Sequence, residues 1–98
     1  MNINSRMDAG TLCVSVEGRL DTMTAPELEA ALGRDMPAAE QLVLDFSKLD
    51  YISSAGLRVL LAAHKTMSRK GGMKVIHVNE IVKEVFDMTG FSDILTVE

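Results

Sequence analysis

The chain lacks most of the features that mark secreted, membrane-spanning and metal-binding proteins. It has one cysteine, Cys13, among 98 residues, so it cannot form a disulfide within one copy. No apolar run approaches the ~20 residues that cross a bilayer, and the first residues form no signal-peptide core. The cysteine and the two histidines, His64 and His77, show no close ligand spacing, so no metal site is predicted. These absences favour a cytoplasmic protein that does not insert into a membrane.

Positive charge is also scarce and scattered. Ten Lys and Arg residues against fourteen Asp and Glu residues give a net charge of −4, and only Arg69 and Lys70 are adjacent. A nucleic-acid-binding surface needs a concentrated basic patch, so direct nucleic-acid binding is not expected. No glycine-rich phosphate-binding loop is present either, because Gly71-Gly72 is better explained as the exit from a helix. The sequence therefore predicts no cofactor.

The composition is that of a globular protein. Hydrophobic residues make up 47% of the chain and charged residues 24%, which is typical of a folded domain and unlike a disordered segment. There is no repeat, low-complexity tract or linker-like stretch. A single small domain over residues 1–98 is therefore expected.

Hydrophobic periodicity predicts strands that alternate with helices after a first hairpin. Alternating or continuous apolar residues predict strands at residues 3–7, 11–18, 41–46, 74–78 and 94–97. A first helix is predicted after Thr24, which has capping-box spacing to Glu27, and it ends near Pro37. A second helix is predicted from about Ser54 to Lys70, and a third from Asn79 to Gly90. The order β-β-α-β-α-β-α-β predicts an α/β fold, with a mixed sheet of four to five strands packed on three helices.

Two hydroxyls stand where the third predicted strand gives way to the second helix. Ser53 and Ser54 occupy the predicted N-cap and first turn, where a side-chain oxygen can cap a backbone N–H and the helix dipole favours a negative group. A phosphate on either serine would be stabilised there. On spacing alone, plain helix capping is the favoured explanation of these serines.

The run from Asp45 to Arg58 resembles the phosphoacceptor region of bacterial anti-sigma factor antagonists, which are stand-alone members of the STAS domain family. The resemblance continues in four segments: Gly18-Arg19-Leu20-Asp21 with Thr24-Ala25-Pro26-Glu27-Leu28, Leu42-Val43-Leu44-Asp45, Ile52-Ser53-Ser54-Ala55-Gly56-Leu57, and Val85-Phe86-Asp87-Met88-Thr89-Gly90-Phe91. These segments are similar to the family's G-x-L-D turn and first helix, central strand, phosphorylation loop and third helix. They occur in the family's order over nearly the whole chain.

The resemblance implies a phosphorylation site and a partner surface. Ser54 occupies the phosphoacceptor position, and Ser53, which stands where many relatives carry aspartate, ranks second. The implied partner surface comprises Asp21, Thr22, Ser53, Ser54, Ala55, Gly56 and Arg58. Arg58 is a helical neighbour of Ser54 and could pair with its phosphate, or it could simply be a solvated arginine. Gly56 would let a partner or the sheet approach closely, and Asp21 also has the position of a turn former.

The resemblance implies a regulatory binding module and not an enzyme. In its unphosphorylated form, the chain would bind an anti-sigma factor that is also a serine kinase, and so free a sigma factor. Phosphorylation of Ser54 would end that binding, and a phosphoserine phosphatase would restore it. The alternative is a STAS regulatory subunit of a lipid or anion transporter. A small hydrolase or phosphotransferase is disfavoured because no base stands beside Ser54 in the sequence.

Overall fold

A computed structural model describes all 98 residues and contains five strands and four α-helices. The strands are β1 (Asn2–Asp8), β2 (Thr11–Leu20), β3 (Gln41–Ile52), β4 (Met73–Ile76) and β5 (Thr96–Val97). The helices are α1 (Ala25–Asp35), α2 (Ser54–Met67), α3 (Glu80–Thr89) and α4 (Phe91–Ile94), with a 3₁₀ turn at Met36–Ala38. The predicted fold class and element order are confirmed, and α4 is an additional short helix before β5. No helix is long and apolar enough to span a bilayer.

The strands lie in the sheet in the same order as in the sequence. β1 pairs with β2 in antiparallel fashion, whereas β2, β3, β4 and β5 pair in parallel. Crossovers between parallel strands are right-handed, and here each crossover places the next strand at the same edge of the growing sheet. The crossover helices α1, α2 and α3 therefore cover one face of the sheet. The other face carries half-buried or exposed side chains, including Cys13, Ser15, Val43 and Asp45.

One apolar core lies between the sheet and these helices. It is a cluster of 23 buried hydrophobic residues, and no polar or charged residue is buried. Strands β2 and β3 supply nine of these core residues: Leu12, Val14, Val16 and Leu20 from β2, and Leu42, Leu44, Phe46, Leu49 and Ile52 from β3. Because this core cluster holds no polar side chain, the groups available for chemistry lie outside it.

The third strand is longer than predicted. The prediction that it ends at Phe46 is wrong, because β3 continues to Ile52. Two bulges in its pairing with β2 explain the error, since each adds one residue to β3 and changes the spacing of inward side chains from two to three. Phe46, Leu49 and Ile52 therefore all point into the core, although they do not follow the period of two that identifies a strand.

The last two strands also differ from their predicted bounds. His77 lies beyond the end of β4, with a left-handed φ of +59° that cannot continue a strand. Ile94 ends α4, so the last strand comprises only Thr96–Val97. The predicted start and end of α3 are confirmed: the Asn79 side chain accepts a hydrogen bond from Val82 N at 2.8 Å, and Gly90 closes the helix with φ +82°.

Candidate functional site

The ends of β2 and β3 bring the two predicted functional segments together. Leu20 pairs with Ile52 at the last position of this parallel ladder, and Ser53 N donates a hydrogen bond to Leu20 O at 2.9 Å. The carboxyl ends of neighbouring parallel strands meet at one edge of a sheet. The turn after β2 and the start of α2 are therefore adjacent, and we call residues 21–24 and 53–55 together the serine edge.

The two serines differ in accessibility. Ser54 is the first residue of α2 and is exposed, whereas Ser53 is partly buried in the N-cap position. The Ser53 hydroxyl is buried and has no hydrogen-bond partner, and its side chain does not cap the helix. A kinase must reach the hydroxyl that it phosphorylates, and of these two serines only Ser54 is exposed.

The backbone at the start of α2 can receive a negative charge. The first helical hydrogen bond runs from Leu57 N to Ser53 O at 3.0 Å. The N–H groups of Ser54, Ala55 and Gly56 precede that bond and have no acceptor within the helix. Together with the helix dipole, they make this turn favourable for an anion on Ser54.

Gly56 lies beneath the serine edge and not on its surface. A Cβ placed on this residue would stand 2.7 Å from Leu20 Cγ and 2.8 Å from Ile52 Cγ1, which is closer than carbon atoms can approach. Of the two roles that the sequence suggests for Gly56, the structure supports close packing on the sheet. The residue is buried, so it lies below the exposed residues of the edge, and its predicted contact with a partner stays a prediction.

Asp21 organises the turn that follows β2. Its Oδ1 accepts hydrogen bonds from Met23 N at 3.0 Å and from Thr24 N at 3.2 Å. Partial desolvation raises the pKa of Asp21, but these backbone hydrogen bonds, one from the Thr24 hydroxyl and the nearby Arg19 charge together hold it below its ordinary value. Asp21 is thus an ionised turn former, as its position at a strand end predicts.

Thr24 takes part in the same turn. Its hydroxyl donates to Arg19 O at 2.7 Å and accepts from Asp21 N at 2.9 Å. It makes no hydrogen bond to the first turn of α1, so the predicted capping box between Thr24 and Glu27 is wrong. The hydroxyl is instead occupied in holding the turn against the end of β2.

Arg19 is a charged residue at this edge that the sequence analysis missed. Its guanidinium lies 4.6 Å from the centroid of the Tyr51 ring, within cation–π distance, and its Nε lies 3.9 Å from Asp21 Oδ2. Arg19 and Tyr51 meet because they are paired across β2 and β3. Only the bulged register of these strands reveals that pairing, so the periodicity of the sequence could not.

The remaining predicted residues lie on the outside of the edge. Thr22 is exposed, Ala55 is partly exposed, and Arg58 is exposed one turn after Ser54. Arg58 forms no ion pair, so its guanidinium is available to a group on Ser54. These residues therefore belong to two segments that the paired ends of β2 and β3 hold next to each other.

The sequence and the fold are both similar to those of known proteins. The STAS domain family matches residues 2–98. A protein of Bordetella bronchiseptica named as a candidate anti-sigma factor antagonist, BtrV, is 38% identical over 90% of this chain and 78% of its own length. The crystal structure of an anti-sigma factor antagonist from Mycobacterium paratuberculosis has a TM-score of 0.89 at 27% identity, covering 98% of this chain and 83% of that one.

A further structure shares the fold at lower identity. The Bacillus cell fate determinant SpoIIAA in its phosphorylated form has a TM-score of 0.76 at 16% identity, covering 99% of this chain and 91% of that protein. The same architecture is therefore compatible with phosphorylation in that protein.

Proposed function

Because this chain belongs to the STAS domain family, we propose that it is an anti-sigma factor antagonist controlled by phosphorylation of Ser54. The unphosphorylated form binds an anti-sigma factor that is also a serine kinase and so frees a sigma factor. The observation that carries the proposal is the exposed hydroxyl of Ser54 at the start of α2, in a chain whose relatives are named anti-sigma factor antagonists.

Accessibility supports Ser54 over Ser53 as the acceptor. The kinase transfers the γ-phosphoryl group of ATP to a serine oxygen, which loses its proton, and ADP is released. The Ser53 hydroxyl is buried between the helix start and the strand ends, so it cannot reach a kinase active site unless α2 opens. Ser54 needs no such opening.

Release of the partner follows from the interface and not from unfolding. A phosphate on Ser54 adds about two negative charges beside N–H groups that favour them. The domain itself therefore tolerates the modification. A partner packed against a bare hydroxyl meets both the charge and the bulk of the phosphate, and a loss of ~3 kcal/mol there weakens binding roughly a hundredfold.

The rest of the proposed cycle lies in other proteins. Nucleotide enters with the kinase, and a phosphoserine phosphatase returns the chain to its binding form. The chain itself acts as a kinase substrate and binding module and not as an enzyme, in keeping with the regulatory names of its relatives. A cytoplasmic location is part of the proposal, since sigma factors and their inhibitors act on RNA polymerase there.

A labelling experiment tests the proposal. Purified chain is incubated with γ-labelled ATP and each anti-sigma kinase of the same organism, and the one that labels it is the cognate kinase. We expect label in wild type and in Ser53→Ala, and none in Ser54→Ala. Label that persists in Ser54→Ala but disappears in Ser53→Ala would assign the site to Ser53, and no label with any kinase would refute the proposal.

A further inference from the structure

Two methionine side chains of this chain stand almost free in solvent. Met23 is 83% exposed and Met88 is 80% exposed. Single exposed apolar residues are common at protein surfaces and need no function. The surroundings of the two methionines differ, however, because Met88 lies near the end of α3, whereas Met23 lies in the serine edge.

The backbone that carries Met23 is held on both sides. Met23 N itself donates to Asp21 Oδ1 at 3.0 Å, and the next residue, Thr24, is fixed through its hydroxyl to Arg19 O at 2.7 Å. Thr24 N and Ala25 N also donate to Asp21 O, at 3.2 and 2.8 Å. The turn is therefore ordered before any partner arrives, and binding through it costs less ordering entropy than binding through a mobile loop.

The position of Met23 places it within reach of whatever covers Ser54. The turn joins the start of α2 through the hydrogen bond from Ser53 N to Leu20 O at 2.9 Å. A standard protein interface covers ~800 Å² on each partner, which as a disc has a radius of ~16 Å. A partner centred on Ser54 therefore also covers the neighbouring turn.

We propose that Met23 is an apolar anchor that enters a pocket of the anti-sigma factor and helps to select that partner. The inference rests on the proposed function, and it adds a residue that the family resemblance does not supply. The partner pocket must be lined by aliphatic or aromatic side chains, to which a flexible thioether adapts well. Central apolar anchors that become fully desolvated supply much of the affinity of an interface.

Matched substitutions of the two exposed methionines test this proposal. The dissociation constant for the cognate anti-sigma kinase is measured by calorimetry for wild type, Met23→Gln, Met23→Leu and Met88→Gln. ADP replaces ATP in these measurements, so that Ser54 stays unphosphorylated. We expect Met23→Gln to weaken binding about tenfold or more, whereas Met23→Leu and Met88→Gln stay within about twofold of wild type. Circular dichroism checks that all four are folded, as their exposure leads us to expect.

The outcomes separate this inference from the proposed function. If Met23→Gln and wild type bind with equal affinity, and the kinase still phosphorylates Ser54 of the variant, the role of Met23 as an anchor is overturned and the proposed function remains intact. A larger loss for Met88→Gln than for Met23→Gln overturns it too, and assigns the partner to α3. A chain that neither binds nor is phosphorylated by any anti-sigma kinase overturns both.

Discussion

Replacement of Gly56 by alanine should destabilise this protein, although alanine is the better helix former. The new Cβ would stand 2.7 Å from Leu20 Cγ and 2.8 Å from Ile52 Cγ1. Both atoms belong to side chains that are at most 1% exposed and packed in the core, so neither can swing aside. The start of α2 must instead move away from the sheet.

The size of the effect follows from two opposing contributions. Overpacking of a core by one methyl group costs ~1–3 kcal/mol, and replacing glycine in a helix by alanine returns at most ~1 kcal/mol. Because the new Cβ would meet two separate carbons at 2.7 and 2.8 Å, the overpacking cost lies in the upper part of its range, ~2–3 kcal/mol, and the net loss is about 1–2 kcal/mol. For a domain of this size, each kcal/mol shifts the melting temperature by about 4–8 °C, so Gly56→Ala should melt roughly 5–15 °C below wild type.

Gly33 provides the matched control. It lies inside α1, and a Cβ placed on it would meet nothing within 4 Å. Gly33→Ala should therefore stabilise the protein by ~0.5–1 kcal/mol through helix propensity alone. Thermal unfolding followed by circular dichroism compares the two variants. If Gly56→Ala melted at or above the temperature of wild type, the close packing of α2 on the strand ends would be refuted.

Three further outcomes follow from the serine edge. Ser54→Asp should bind the cognate anti-sigma kinase more weakly than Ser54→Ala in calorimetry, because a carboxylate imitates part of the phosphate charge; equal affinities would contradict the switch. Phosphorylation of Ser54 should leave the melting temperature unchanged or slightly raised, with a smaller gain in Arg58→Ala, whereas a marked fall would indicate local unfolding. The lowered pKa of Asp21 means that its charge stabilises the fold above the unfolded pKa and ceases to do so as pH falls through the folded pKa. When the pH is lowered below about 4, the free energy of unfolding measured in urea should therefore fall less for Asp21→Asn than for wild type.

The order of the elements could be predicted from the sequence because most elements show a regular hydrophobic period, of two in a strand or about 3.6 in a helix. Apolar and polar residues alternate over residues 11–18. Helix α3 is bounded by the capping Asn79 and the left-handed Gly90, and α2 starts at Ser54, as predicted. Such signals are local, and the fold preserves them. The family resemblance placed Asp21 beside the serines, and the pairing of the strand ends provides the physical reason.

What could not be predicted depends on contacts between strands. The second half of β3 lies beyond two bulges that exist only in its pairing with β2, so a single strand carries no sign of them. The stacking of Arg19 on Tyr51 depends on that same register. The unpartnered Ser53 hydroxyl and the exposure of Met23 are also tertiary properties, because the sequence alone shows only a polar cap residue and a methionine.

The bulges also allow β2 and β3 to differ in length while Ser54 stays next to the end of β2. β2 has 10 residues and β3 has 12, yet the strands start level at Thr11 and Gln41 and end level at Leu20 and Ile52. The two bulged residues take up the difference in length. Deletion of the extra residue Asp50 would leave Gly18, Arg19 and Leu20 paired with Leu49, Tyr51 and Ile52 in unbroken register, with Ile52 still facing the core. The bulges therefore allow β3 to gain or lose a residue while the start of α2 stays level with the end of β2.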